Sequence, residues 1–312
     1  MNKKQLLVGL LILIASILTV APSAQSTTPG RNGLIVYGQE LGPDHYQLFT
    51  IRPDGSGLKQ ITHVVNAVNP DWSPNGKTIV AEAELKRGGG ITLFSPSGSV
   101  IRNLTPTGER GQPSFSSDGK WIAYESDVSA NGIFVMRSNG TAQRRVTTNP
   151  FAGGDECGCD TDPNFSPNGK LITFVRIKKH LRQQALFAVR PNGTGLRQLT
   201  PYSWEVAIKH DWSPDGKLIV LTTNADFVRP KESANLVTIR PDGSGMKNLT
   251  GFKSGTENAF AGSFSPDGEQ IVFRIESGDT HSLAVIDRDG GNLQRITTGK
   301  GRPRFIDWGT HP

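Results

Sequence analysis

Apolar residues in this chain come in short runs bounded by turn formers, and nothing recurs at the three- and four-residue spacing of a helix. The runs are organised by one stretch, Asp71–Lys77 (DWSPNGK). It returns as Ser114–Lys120, Asn164–Lys170, Asp211–Lys217 and Ser263–Glu269, with turn glycines 43, 50, 47 and 52 residues apart. A second turn recurs between these, ending at Gly55, Gly98, Gly140, Gly193, Gly243 and Gly290. Each is followed by a Leu-Thr-like pair, from Ile61-Thr62 through Leu199-Thr200 to Ile296-Thr297. Asp or Asn before Gly suits a turn whose last residue needs a positive φ. The first turn therefore joins an aromatic-bearing strand (Pro70–Ser73) to an apolar one (Thr78–Ala83). A third strand such as Ile91–Ser95 follows, then the second turn and a polar fourth strand.

Four short strands per repeat of this length predict an all-β array of propeller blades. The first unit has strands at Gly33–Gly38, Tyr46–Arg52 and Leu58–Thr62 but no aromatic strand ahead of them. Pro303-Arg304-Phe305 near the C-terminus matches Pro70-Asp71-Trp72 and supplies it. Five complete units and a split one predict six blades of four antiparallel strands, the ring closed by the C-terminal strand pairing into blade one, with no open edge at the seam. Trp72, Phe115, Phe165, Trp212, Phe264 and Phe305 are expected between blades, as buried rings.

The repeated [DN]-[WF]-S-P-[DN]-G-K, followed by an apolar strand and Leu-Thr, resembles the propeller repeats of TolB and related proteins, from Gly33 to Trp308. The same repeat occurs in envelope scaffolds, peptidase propellers and polysaccharide lyases, so it implies a fold more than a function. In TolB the channel face of the propeller binds protein partners, ahead of which TolB carries an N-terminal α/β domain. Here the first blade starts too early for such a domain. Peptidases of this kind place their nucleophile in a separate hydrolase domain, and no G-x-S-x-G elbow occurs here. The lyases hold a metal through several channel histidines, whereas only His63 and His210 of six fall in channel-side loops.

Residues 1–26 open with Lys3 and Lys4 and an apolar run from Leu6 to Val20. They read as a signal peptide or an uncleaved N-terminal anchor, with the propeller occupying 27–312 and exported to the periplasm or beyond. Removing this leader takes the formal charge from +6 to +4. The excess is scattered among loops with no basic stripe, which excludes nucleic acid as the expected partner.

The loop entering blade four, Phe151–Asp162, holds both cysteines, Cys157 and Cys159, with Asp155, Glu156, Asp160 and Asp162. Three readings compete: a disulfide pinning the loop, a hard cation held by carboxylates of Asp155, Asp160 and Asp162, and zinc, which lacks nearby nitrogen ligands. No cofactor is expected beyond a structural divalent cation here. Loops entering each blade gather at the channel mouth, where rigid scaffolds carry their ligands. They contribute Asn66, Glu109, Arg110, Asp155, Asp160, Trp204, Glu205, Lys209, His210, Glu257, Asn258 and Arg302 as candidate binding residues. The expectation is a non-catalytic scaffold for an envelope or extracellular protein or peptide. The alternative is a carbohydrate-binding or carbohydrate-active propeller acting on a polysaccharide at the same channel.

Overall fold

The S-P-[DN]-G segments turn tightly because their own side chains hold the backbone. Ser73 Oγ donates to Asn75 Oδ1 (2.8 Å) and accepts from the Thr78 N–H (2.9 Å), while Gly76, at φ 65°, donates its N–H to the Ser73 carbonyl. Ser116, Ser166, Ser213 and Ser265 repeat the arrangement with Asp118, Asn168, Asp215 and Asp267. A computed structural model of the chain describes residues 29–63, 66–85, 88–106, 110–126, 132–151, 158–178, 183–224, 232–297, 299 and 301–312. No helix among them is long and apolar enough to cross a membrane.

The strands form six four-stranded antiparallel sheets. Blade one joins β24 (Arg302–Thr310) to β1 (Asn32–Gly42), β2 (His45–Ile51) and β3 (Lys59–Gln60). Blade two is β4 (Asn66–Trp72), β5 (Ile79–Leu85), β6 (Gly88–Phe94) and β7 (Val100–Asn103). Blade three is β8 (Arg110–Phe115), β9 (Trp121–Ser126), β10 (Gly132–Arg137) and β11 (Arg144–Arg145). Blade four is β12 (Asp160–Phe165), β13 (Ile172–Ile177), β14 (Gln184–Val189) and β15 (Arg197–Gln198). Blade five is β16 (His210–Trp212), β17 (Ile219–Thr223), β18 (Asn235–Ile239) and β19 (Lys247–Asn248). Blade six is β20 (Asn258–Phe264), β21 (Gln270–Ser277), β22 (Thr280–Asp287) and β23 (Gln294–Arg295). The innermost strands β24, β4, β8, β12, β16 and β20 touch in that order around a ring, and β24 touches β20. The fold is a six-bladed propeller closed through β24 and β1.

The Leu-Thr pair after each short outer strand is an anchor. Its apolar residue is buried in blades one to five and partly buried in blade six, and its threonine hydroxyl accepts an N–H of the third strand in all six blades: Thr62 from Leu48, Thr105 from Ile91, Thr147 from Ile133, Thr200 from Leu186, Thr250 from Leu236 and Thr297 from Leu283. The second turn of the next blade then packs on that pair. A Cβ on Gly98 (φ 87°) would meet the Ile61 carbonyl oxygen, and one on Gly243 (φ 90°) that of Leu199, so both positions need glycine.

One aromatic enters each inter-blade core: Trp72, Phe115, Phe165, Trp212 and Phe264 as expected, but Trp308 in place of Phe305. Trp308 pairs with Ile35 as Trp72 pairs with Ile79. The motif register at the seam is therefore Asp307-Trp308, three residues later than Pro303-Arg304-Phe305 suggested. The shared proline misleads because proline recurs two residues before the aromatic in blades two to four and not in β24.

Candidate functional site

A bulge in the inner strands sets which side chains face the channel. Asn69, Gln112, Asp162 and Phe305 hold a left-handed backbone (φ 54°, 47°, 48° and 49°) at the same place in β4, β8, β12 and β24, where each ladder slips. Such a conformation costs a non-glycine residue roughly 1 kcal/mol or more. Lys209, just ahead of β16, and Ala261 occupy the equivalent place in blades five and six. Two residues further on, a second ring forms from Asp71, Ser114, Asn164, Asp211, Ser263 and Asp307.

The second ring stitches neighbouring blades. Asp307 accepts the Trp72 N–H (2.7 Å), Asp71 that of Phe115 (2.8 Å) and Asp211 that of Phe264 (2.8 Å). Ser263 Oγ lies 3.0 Å from Asp211 Oδ2 and 3.1 Å from Asp307 Oδ1, and Asn164 Nδ2 donates to the His210 carbonyl. Burial, then the charge of Asp307, pushes the Asp71 carboxyl well above its ordinary value. Burial pushes Asp211 up to about 6, with Lys209 opposing. Asp307 is raised by burial against the pull of Lys209. Burial alone would lower the Lys209 ammonium, but Asp162, Asp307, Asp211 and Asp71 together raise it. The space between the two rings measures about 10 Å³ and that on the turn side of the second ring about 20 Å³, room for water and nothing larger.

A cavity of about 210 Å³ opens at the channel mouth between blades four, five, six and one. Its walls are apolar, with Ile208, Phe260, Phe305 and Ile306 prominent, and three cations reach it: Lys209, Arg274 and Arg304. Arg274 stacks over the Phe260 ring at 4.5 Å, pairs with Glu276 (2.9 Å) and donates to the Pro303 carbonyl (3.1 Å). Burial, then Glu276 opposing and Arg304 and Arg302 adding, brings the Arg274 guanidinium down to about 10, still charged at neutral pH. Arg304 pairs with Glu40 (3.2 Å). A wider groove of about 510 Å³ lies on the turn face between blades two and three, but its walls are repeat-turn residues and gather a single charged group, Asp118.

Of the residues expected at the mouth, Lys209 lines the cavity and Arg302 stands beside it, 3.7 Å from both Glu40 and Glu276. Others serve the frame. Asp160 is buried and grips Arg176 through two 2.7 Å contacts, with Thr147 donating at 2.6 Å. Its oxygens are thereby engaged, and among the described residues no cluster of three His, Cys, Asp or Glu is spaced to hold a metal. His210 is wholly buried, with Nε2 2.8 Å from Thr173 Oγ1 and Nδ1 beside Asp162. Asn66 accepts the Tyr46 N–H and Asn258 that of Ala234, each pinning a loop. Trp204 packs on the core of blades four and five, Glu205 ends its turn at φ 47°, and Glu257 pairs with Arg295 (2.5 Å). Cys159 is disulfide-bonded. Glu109, Asp155 and Cys157 lie outside the described residues, as does the side chain of Arg110. Asn69, Gln112 and Phe305 escaped notice as channel residues, although aligning the repeats on Asp307-Trp308 places them. Arg274 and Phe260 sit within blade six, on β21 and β20, where no loop signal marks them.

A family model described as the TolB beta propeller domain matches residues 113–311. TolB from Acinetobacter baumannii superposes with a TM-score of 0.72 at 22% identity, covering 89% of this chain and 67% of that one. A putative TolB from Agrobacterium tumefaciens gives 0.62 at 18%, covering 88% and 92%. At these identities the likeness establishes the fold. Among curated proteins, the uncharacterized peptidase YuxL of Bacillus subtilis (strain 168) is 28% identical over 149 residues, 38% of this chain and 22% of that protein. The uncharacterized protein Atu1656 of Agrobacterium fabrum (strain C58 / ATCC 33970) is 26% identical over 157 residues, 49% of this chain and 47% of the relative. The matches thus span under half the length of these curated relatives.

Proposed function

Because this chain belongs to the TolB β-propeller family, we propose that it is an exported, non-catalytic binding module that captures a peptide or protein segment at the loop face of its channel. The observation that carries the reading is the cavity at the channel mouth, where apolar walls and three fixed cations converge on a rigid frame. Among the described residues, none that lines it is a serine, cysteine, aspartate or glutamate, so they set no serine or cysteine nucleophile with a carboxylate base against a bound group there. The channel aspartates lie below, around spaces that admit only water. Export rests on the charged start and apolar run of residues 1–26. The peptidase named among the relatives matches this chain over 22% of its length, which supports no transfer of activity. Cation-lined cavities also suit uronic acids, so an acidic polysaccharide is the competing ligand.

Cross-linking in cells that produce the tagged protein tests the reading. A protein partner should be captured by the wild type and lost with Ile208→Glu, which places a charge on the apolar wall. Retention of the same proteins by the variant, or recovery of polysaccharide and no protein, would remove the cavity from the reading.

A further inference from the structure

Among the described residues, the charge around the mouth cavity does not balance. Arg274, Arg302 and Arg304 face two carboxylates, Glu40 and Glu276, which leaves one positive charge in excess before Lys209 is counted. The Nε–H groups of all three arginines are buried without an acceptor. Glu40 Oε2 and Glu276 Oε1 are likewise buried with no hydrogen-bond partner among the described residues, so the five groups are held by charge more than by paired hydrogen bonds, and the excess cation is what an incoming carboxylate would meet. The facing wall is apolar, and Phe305 is kept in a left-handed backbone to complete it. We propose that the cavity recognises a carboxylate borne next to an apolar side chain on a peptide. The proposal rests on the peptide-binding reading above and names its chemistry.

Size and charge both narrow the choice. The cavity, about 210 Å³, is smaller than the roughly 300–1,000 Å³ of sites that enclose drug-sized ligands. It fits one residue and its carboxylate and leaves a sugar chain mostly outside. Lys209 is matched by the ring aspartates Asp162, Asp307, Asp211 and Asp71, so the surplus stays at the one arginine charge and suits a monoanion better than a phosphate dianion. Planar guanidinium groups at Arg274 and Arg304 match a carboxylate in geometry as well as in charge. The carboxylate can come from a chain terminus or from an Asp or Glu side chain, and both present the same oxygens.

Isothermal titration of the full chain with three peptides separates these sources. One is Gly-Ser-Gly-Ser-Leu-Phe with a free C-terminus, the second its C-terminal amide, and the third an amide with Glu inserted before Phe. The free acid, the Glu peptide or both should bind about tenfold or more tighter than the plain amide, as expected for a charge-assisted contact. Tightening confined to the free acid assigns the terminus, and tightening confined to the Glu peptide assigns the side chain. Arg304→Gln, on a half-exposed residue, should erase that difference while the melting temperature holds. Equal affinities for all three peptides would overturn the carboxylate proposal and leave peptide binding standing. Binding of an oligogalacturonate with none of the peptides would overturn both, and so would binding of nothing.

Discussion

Asp160 and Arg176 form an ion pair closed off from water, their side chains 0% and 5% exposed, and it ties β12 to β13. Buried pairs are costly to halve because the survivor keeps its charge without compensation. Asp160→Ala should therefore lower stability by about 3–5 kcal/mol in urea denaturation. Adding Arg176→Met should recover most of the loss, and an additive double mutant would show that the pair is not the cause. Thr200 is a neutral counterpart. Its hydroxyl accepts the buried Leu186 N–H at 2.9 Å, so Thr200→Val, equal in shape, should cost about 1–3 kcal/mol for the orphaned donor. A change below the error of the urea midpoint would mean that the Leu-Thr pair anchors through its apolar residue alone. Neither role is legible in sequence at this scale. Asp160 reads as a loop carboxylate free to meet a cation, because the partner that claims it lies sixteen residues on, within another strand.

Strands and turns were more legible, because their chemistry is local. Ser-Pro-Asp-Gly holds its own turn, and a blade follows wherever such turns alternate with apolar runs. The seam departs from this. Trp308 is followed by Gly-Thr-His-Pro and not by Ser-Pro-Asp-Gly, so the turn motif does not mark the register of β24, and the bulge at Phe305 shifts its pairing with β1 out of line with a simple match. Register carries a direct prediction. Trp308→Ala empties a core position between blades six and one and should cost about 3–5 kcal/mol. Phe305→Ala removes a half-exposed ring and should cost well under half of that. The melting temperatures of the two variants decide it: the reverse order would restore Pro303-Arg304-Phe305 as the motif. The mouth cavity was less legible than the blades, since Lys209, Arg274 and Arg304 meet only once β24 closes the ring.

Across the whole molecule, the inner ring joins all six blades through polar side chains, three of them aspartates whose carboxyls burial raises. The consequence for stability has a definite sign. Between the ordinary aspartate value of 3.8 and about 6, the folded protein holds a proton on Asp211 that the unfolded chain releases. That contribution is fully present below 3.8 and is lost as pH rises through 6; Asp71 and Asp307 act in the same direction. Asp118 and Asp215, lowered overall by their serine and backbone partners against burial, stabilise above 3.8 and act in a more acidic window. His281 is lowered by burial and by Arg302, Arg274 and Arg304 despite Glu276, so it opposes the ring as pH falls through 6.5. A difference measurement removes this overlap, because Asp211→Asn leaves His281 in place. The asparagine oxygen still accepts the Phe264 N–H without carrying charge, so the variant should be more stable than wild type at pH 8 by about 1–3 kcal/mol. The gap should close by pH 4. A gap that stays constant across this range would mean that Asp211 titrates as an ordinary carboxylate, and that the attraction of Lys209 fully offsets its burial.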